Sequence, residues 1–506
     1  MKGFIQGSHF KDEDSLDESS YVVQHFSANN FYPDKERIKI EKHFEKVLDV
    51  TDKFNRQSVS YQLSKKDLIH SWLKYKEGFS ADLVNIFLKE MGAKPDDLIM
   101  DPFMGSGTTA LVCQMNGINS IGYDIMPIST VSINAKSNVL NYDVTSLSKI
   151  RNALAGLSVP HNYKKDTPVI TITESAYPDQ NSKFFSYIQE WIGKFNFSDI
   201  EKNLLTLCVV NSLERCSFTR KDGQYLGWDY RSQKVIDANA SRVARGKKPF
   251  PIKVVRDPIC DGKATVLEEF DHVISDISII QESFKDNTGA TIDYKQSSVL
   301  YELPKLPDNI LKGAITSPPY CNRYDYTRTY ALELVYLGLR EKTIRDLRQS
   351  LLSCTVESKS KANELEAFYS SIGQKDRYDY ILKKIQSNGA FQEVMGALEK
   401  RMANGDLNNN GVVRMVDGYF TELAFIYAEL FRVCKPGAYV VFVNDNVRYG
   451  GEVIPVDFLS SSFAEQFGFE TKEVYCLKQQ KGNSSQQMAK FGRVALRKSI
   501  TVWVKP

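Results

Sequence analysis

The chain has 506 residues, enough to bury a large core and to hold more than one domain. With 42% hydrophobic and 25% charged residues, no apolar run of about eighteen residues, and a Met1-Lys2-Gly3-Phe4 start, it reads as a globular protein without a membrane span or secretory leader. A net charge of +3 excludes a globally basic nucleic-acid binder, and eight scattered cysteines and six histidines without ligand spacing point to free thiols in a reducing cytoplasm and to no structural metal.

Residues 1–60 form an N-terminal extension, with an acidic arm (Asp12-Glu13-Asp14, Asp17-Glu18) and a charged helical stretch after Tyr32-Pro33-Asp34-Lys35 that ends near Phe54. In 61–150, Ser80 is placed to cap a helix over Ala81–Met91, where Leu83, Val84, Phe87 and Leu88 recur at helical spacing. Leu98-Ile99-Met100 predicts a strand, Asp101 to Thr109 a glycine-rich turn, and Ala110-Leu111-Val112-Cys113 a helix. A strand over Ser120–Asp124 and a helix around Thr130–Val139 complete a βαβ unit. Residues 151–290 break that rhythm, with helical patterns at Phe184–Phe195, Ile200–Leu213 and Val266–Phe284 around a basic, aromatic stretch at 215–256. Sheet-like sequence resumes at Thr291–Leu300 and Gly313–Thr316, within 291–335. Residues 336–414 read as a second, helical insertion whose two signs of charge nearly balance, as on an exposed subdomain or a dimer contact. In 415–506 come a helix over Phe420–Cys434, a turn at Lys435-Pro436-Gly437, a strand over Ala438–Val443, and a last pair of strands around Glu470–Leu477 and Ser499–Val504.

Two loops carry the chemistry. Gly105 and Gly107 let the backbone approach a ligand closely, and the helix that follows offers free N–H groups to a carboxylate or phosphate. Asp101 can take an ammonium group, and Asp124, ending the next strand, can bind both hydroxyls of a ribose. An amino-acid end, a sugar and an adenine together describe S-adenosyl-L-methionine. The flanking Pro102, Phe103, Ser106 and Thr108 make the pattern more specific than a lone G-x-G. In Ser317-Pro318-Pro319-Tyr320 the prolines rigidify the loop and donate no hydrogen bond, so the Pro318 carbonyl is fixed as an acceptor and the Ser317 hydroxyl adds a second polar contact. An exocyclic amine needs two acceptors near its nitrogen to aim its lone pair at an incoming methyl group, and Tyr320 offers a ring on which the base can stack. Both loops end strands, so they should face one crevice of an open α/β sheet.

D-P-F-x-G-S-G-T-T together with S-P-P-Y resembles the S-adenosylmethionine-dependent amino-methyltransferases of DNA, the N4-cytosine and N6-adenine enzymes of restriction–modification and phage defence. The resemblance covers 61–140, 291–335 and 415–506. It implies a Rossmann-like class I methyltransferase fold, α/β, with a seven-stranded, mostly parallel sheet, a reversed last hairpin, and extrusion of the target base from double-stranded DNA. It implies Asp101 to Thr109 as the cofactor loop, Asp124 as the ribose acid, the stretch Lys74–Leu83, with Phe79 and Ser80, as a motif lining the methionine pocket, and Ser317 to Tyr320 as the catalytic loop. The strand before the catalytic loop usually ends in an acid near the cofactor adenine; here Gln296-Ser297-Ser298 stands in that place, and Ser297 is the candidate contact. The family's recognition region is usually one block, whereas two insertions interrupt this core.

For DNA contact the sequence offers Arg220, Lys221, Tyr225, Trp228 and Arg231 in the first insertion, against the plain alternative of a solvated charged surface. The segment Asn322–Tyr330, with Arg323, Tyr324 and Tyr326, directly follows the catalytic loop and is the candidate to wall the base pocket. The resulting expectation is direct methyl transfer onto an exocyclic amine without a covalent intermediate. Within the resemblance, serine at 317 favours N4 of cytosine, with N6 of adenine the alternative. An RNA amino-methyltransferase, a protein-glutamine methyltransferase and a non-catalytic DNA-binding subunit complete the alternatives. A cognate restriction endonuclease or a defence-system subunit is the partner implied; oligomeric state is open.

Overall fold

The apolar run before the glycine turn becomes a central strand of the sheet. The computed structural model describes residues 21–76, 78–164, 169–222, 225–284, 289–478, 488–492 and 494–506. The acidic arm and the Tyr225 side chain lie outside the described residues. The strands are β1 (Leu48–Thr51), β2 (Leu98–Asp101), β3 (Asn119–Asp124), β4 (Thr219–Asp222), β5 (Tyr225–Trp228), β6 (Ile292–Gln296), β7 (Leu311–Thr316), β8 (Cys434–Asp445), β9 (Val447–Tyr449), β10 (Glu452–Ile454), β11 (Glu470–Leu477) and β12 (Lys498–Val504).

Among the described residues, eight strands form one sheet in the order β1-β11-β12-β8-β7-β2-β3-β6. Only β12 runs against its neighbours, antiparallel to both β11 and β8; the other pairings are parallel. This is the mostly parallel sheet with a reversed last hairpin. Val440, Val441, Phe442 and Val443 are all buried, the continuous apolar run of a strand covered on both faces. β4 and β5 form a separate antiparallel hairpin.

The eighth strand corrects the expected seven. The charged helix of the extension ends at Phe44, and Leu48–Thr51 then pairs in parallel with Val474–Leu477. The partner lies at the far end of the chain, which local periodicity does not report. Two further boundaries move: the helix expected from Phe420 begins at Gly411, and the strand expected through Leu300 ends at Gln296.

Helices cover both faces. In chain order they are α1 (Lys35–Phe44), α2 (Ala81–Glu90), α3 (Thr108–Met115), α4 (Pro127–Ser137), α5 (Val144–Gly156), α6 (Asp179–Lys194), α7 (Asp199–Ser212), α8 (Gln233–Ala244), α9 (Gly262–Ser283), α10 (Val299–Glu302), α11 (Tyr326–Thr329), α12 (Ala331–Tyr336), α13 (Glu341–Ser350), α14 (Ala362–Ser371), α15 (Lys375–Ser387), α16 (Gly389–Ala403), α17 (Gly411–Val433), α18 (Val456–Phe467) and α19 (Met488–Phe491). No helix among the described residues is long and apolar enough to cross a membrane.

Buried ion pairs lock the extension to the rest. Arg37 reaches Glu452 at 3.1 Å and Glu393 of α16 at 2.9 Å, and Arg401 of α16 meets the same Glu452 at 2.8 Å. Arg497 bridges Glu41 of α1 and Asp457 of α18. Removing one partner of such a pair strands a buried charge, which makes these contacts costly to break.

Candidate active site

β2 and β7 lie side by side, with Met100 opposite Ala314, so the turns leaving their carboxyl ends meet. The crevice between such ends is where open α/β sheets bind ligands. Here it is an open cleft. Pro102, Phe103 and Gly105 line it from the glycine turn, Asp124, Ile125 and Met126 from the end of β3, Ser297, Ser298 and Val299 from the end of β6, and Ser317 and Pro319 from the second loop. Two loops two hundred residues apart in sequence therefore share one cavity.

The glycine turn has its shape for local reasons. Gly105 adopts φ +52°, and a Cβ there would come within 3.0 Å of the Tyr75 ring. Gly107, at φ +89°, is the N-cap of α3. Both positions lie in the left-handed region that favours glycine. Asp124 clamps the turn: its carboxylate accepts from Gly105 N and Met126 N, each at 2.8 Å. Burial pushes the Asp124 carboxyl above its ordinary value, and these N–H donors pull the other way.

Asp101 does not line the cleft. It is buried beneath the turn, where its Oδ1 accepts from Phe103 N at 3.1 Å and from Thr316 Oγ1 at 2.6 Å. Burial pushes its carboxyl up to about 6. These bonds tie the cofactor turn to the residue before Ser317. Ser106 turns its carbonyl to Ser132 Oγ and to the buried Lys136 Nζ, at 3.1 and 3.4 Å. Thr108 is buried in the first turn of α3. Phe79 packs into a core cluster with Leu83, Ile99 and Ile315. Ser80 is fully buried, and its hydroxyl caps α2 by accepting from Leu83 N at 3.3 Å. Both sit behind the cleft, as scaffold.

In the second loop, Ser317 Oγ donates to Tyr320 OH at 3.2 Å. Pro318 is buried, and Tyr320 is only 8% exposed, with Lys498 Nζ 5.2 Å from its ring centroid. Cys321 is fully buried and burial pushes its thiol far above the ordinary value, which removes it as a thiolate nucleophile.

Two further lining residues, Tyr75 and Tyr326, fall within the stretches 74–83 and 322–330 that the sequence offers as pocket walls. Tyr75 stacks on Tyr330 at 5.1 Å and forms one wall; Tyr326 forms another. Ser350, Leu351 and Leu352, at the end of α13, close a third side. The second insertion thus helps build the cleft, where its balanced charge suggested an exposed subdomain or a dimer contact. The tertiary contact that brings Leu351 there is invisible to composition.

Comparison with known proteins follows this geometry. The family model described as DNA methylase (N6_N4_Mtase) matches residues 6–130. The type II methyltransferase M.BsoBI of Geobacillus stearothermophilus is 49% identical over 486 residues, 96% of this chain and 95% of that protein. The type II methyltransferase M.AvaI of Nostoc is 36% identical over 92% of each chain. The type II methyltransferase M.MjaII of Methanocaldococcus jannaschii is 25% identical over 62% of this chain and 74% of that protein. The chain belongs to the type II DNA amino-methyltransferases of restriction–modification.

In this type II methyltransferase the residues singled out for DNA contact scatter. Arg220 is exposed. Lys221 is not a surface contact: it is buried and paired with Glu333 at 2.5 Å, with its Nζ 4.3 Å from the Tyr330 ring centroid. Trp228 is half-buried under Lys234. Arg231 is held by Asp229 at 2.8 Å. Tyr324 is buried edge-on to Tyr326, and Arg323, at φ +65°, bonds Asn408 at 3.0 Å and leans over Tyr449. Tyr324 thus packs on Tyr326 of the cleft wall.

Proposed function

We propose that the protein transfers a methyl group from S-adenosyl-L-methionine to the exocyclic amine of a base extruded from double-stranded DNA, N4 of cytosine in preference to N6 of adenine. The observation that carries this reading is that Gly105 and Ser317 line one cleft, their loops tied by the 2.6 Å hydrogen bond between Thr316 and Asp101.

The cleft fits the cofactor. A left-handed glycine turn leaves room for close backbone approach, Asp124 faces the cavity at the strand end, and Phe103, Met126 and Val299 give apolar flanks for an adenine beside the hydroxyls of Ser297 and Ser298. When bound, S-adenosylmethionine supplies an electrophilic methyl. The protein's own part is positional and electrostatic. Because Ser317 Oγ donates its proton to Tyr320 OH, its lone pairs are left to accept from the target amine. The Pro318 carbonyl is the second acceptor. Together they hold the amine's N–H bonds and aim its lone pair into the cleft, with Tyr75, Tyr326 and Leu351 excluding water around it.

Serine at 317 supports the cytosine preference; N6 of adenine is the second reading, because the same pair of acceptors serves either amine. Activity on chromosomal DNA implies the cytoplasm, and a cognate endonuclease is the partner implied by a type II system. Sequencing of modified bases in a methylation-free host that expresses the chain distinguishes the two amines. N4-methylcytosine at a fixed sequence is expected, and N6-methyladenine would select the second reading.

A further inference from the structure

Helix α8 buries none of its residues. From 233 to 256 the chain carries seven lysines and arginines against one acid, Asp237. The segment after α8 folds back on it: Lys247 N donates to the Arg242 carbonyl and Arg242 Nε to the Lys248 carbonyl, both at 2.9 Å, and Phe250 N donates to Asn239 Oδ1 at 2.8 Å. Pro249 and Pro251 fix their own φ and hold the residues before them extended. Along the segment Phe250, Ile252 and Val254 are 48%, 79% and 48% exposed. A stiff segment that presents apolar side chains to water, flanked by cations, marks a binding surface.

Its place in the fold points toward the cleft. β5, which leads into this arm, packs against α11, whose Tyr326 lines the cavity. The hairpin is rooted by Lys221 on Glu333 and Tyr330, and Tyr330 stacks on Tyr75 of the cleft wall.

We propose that residues 233–256 form a clamp on duplex DNA beside the extruded base, with Lys247 and Lys248 on phosphates and Ile252 as an apolar wedge between base pairs. The proposal rests on the reading of the protein as a DNA methyltransferase. A second copy of this chain fits the surface poorly, because the exposed Arg245, Lys247 and Lys248 would face like charges. A polyanion neutralises them, and apolar wedges flanked by basic residues are a recurrent means of kinking a duplex.

The test uses the full chain and a duplex from plasmid DNA that the wild type methylates, with two variants, Lys247→Ala/Lys248→Ala and Ile252→Ser. The double variant should weaken duplex binding roughly ten-fold and lower the salt slope by about 2. Ile252→Ser should lower kcat/KM on the intact duplex roughly ten-fold and recover on a duplex mismatched at the target base, where extrusion costs less. Cofactor affinity should stay at the wild-type value in both, which controls for folding. Wild-type binding and kinetics in both variants would overturn the clamp while leaving the enzyme assignment standing. So would a wild-type dimer that Ile252→Ser dissolves. If the wild type transfers no methyl group to any DNA, the enzyme reading fails, and unchanged duplex binding in the lysine variant then decides against the clamp independently.

Discussion

Thr316 Oγ1 donates to Asp101 Oδ1 across 2.6 Å, joining the last residue of one central strand to the last residue of its neighbour. Pro102 opens the cofactor turn and Ser317 opens the catalytic loop, so this single hydrogen bond sets the spacing of both. It is buried and charge-assisted, the kind that costs about 1.5–3 kcal/mol to remove. Thr316→Val should therefore lower kcat by roughly ten-fold or more and weaken cofactor affinity less, by transfer assays and calorimetry. Its pH dependence follows from Asp101, whose carboxyl burial raises from 3.8 to about 6. Between those values the folded chain holds a proton that the unfolded chain has lost, so the group's contribution to stability falls as pH rises through that window. Activity that needs the charged acceptor should fall as pH drops through about 6, and Asp101→Asn should flatten that limb.

Burial pushes Lys136 from 10.5 down to about 7. It lies behind the cofactor turn with its Nζ 3.4 Å from the Ser106 carbonyl. Between about 7 and 10.5 the unfolded chain binds the extra proton, so this group makes the fold more stable as pH rises. Lys136→Met should remove that dependence and stabilise the protein at neutral pH by about 1 kcal/mol or more. Thermal unfolding at two pH values reads both effects.

The pair of loops was legible in sequence because each is a local device: a turn that needs left-handed glycines, and a loop stiffened by two prolines. The parallel pairing of β2 with β3 followed from the βαβ rhythm around Asp101 and Asp124. What was not legible depends on distant contacts. β1 needs Val474 as its partner, Leu351 reaches the cleft from an insertion whose composition looks merely solvated, and Lys221 in a basic stretch is turned inward by Glu333. Nor was it legible that Asp101 and Ser80 hold the backbone around the site, by accepting from Phe103 N and Leu83 N.

Lys221→Ala should act on stability rather than on DNA. It leaves Glu333 buried and uncompensated, a loss of about 3–5 kcal/mol, and Glu333→Gln in the same chain should restore part of it. Denaturant unfolding checks this. Salt dependence of DNA binding should be unchanged in the rescued double variant.

Tyr320→Phe removes the acceptor that fixes the Ser317 hydroxyl. A freed hydroxyl can turn its proton toward the target amine, where it repels the N–H bonds it should accept. The expected result is a fall in kcat of roughly ten-fold or more with cofactor affinity unchanged. Single-turnover transfer and calorimetry separate the two.

The most direct measurement is the map of modified bases in a methylation-free host that expresses the chain, beside the same host with Ser317→Ala/Pro318→Ala. The account predicts N4-methylcytosine at one recurrent sequence with the wild type and none with the double variant. Unmodified exocyclic amines throughout the genome of the wild-type strain would contradict it.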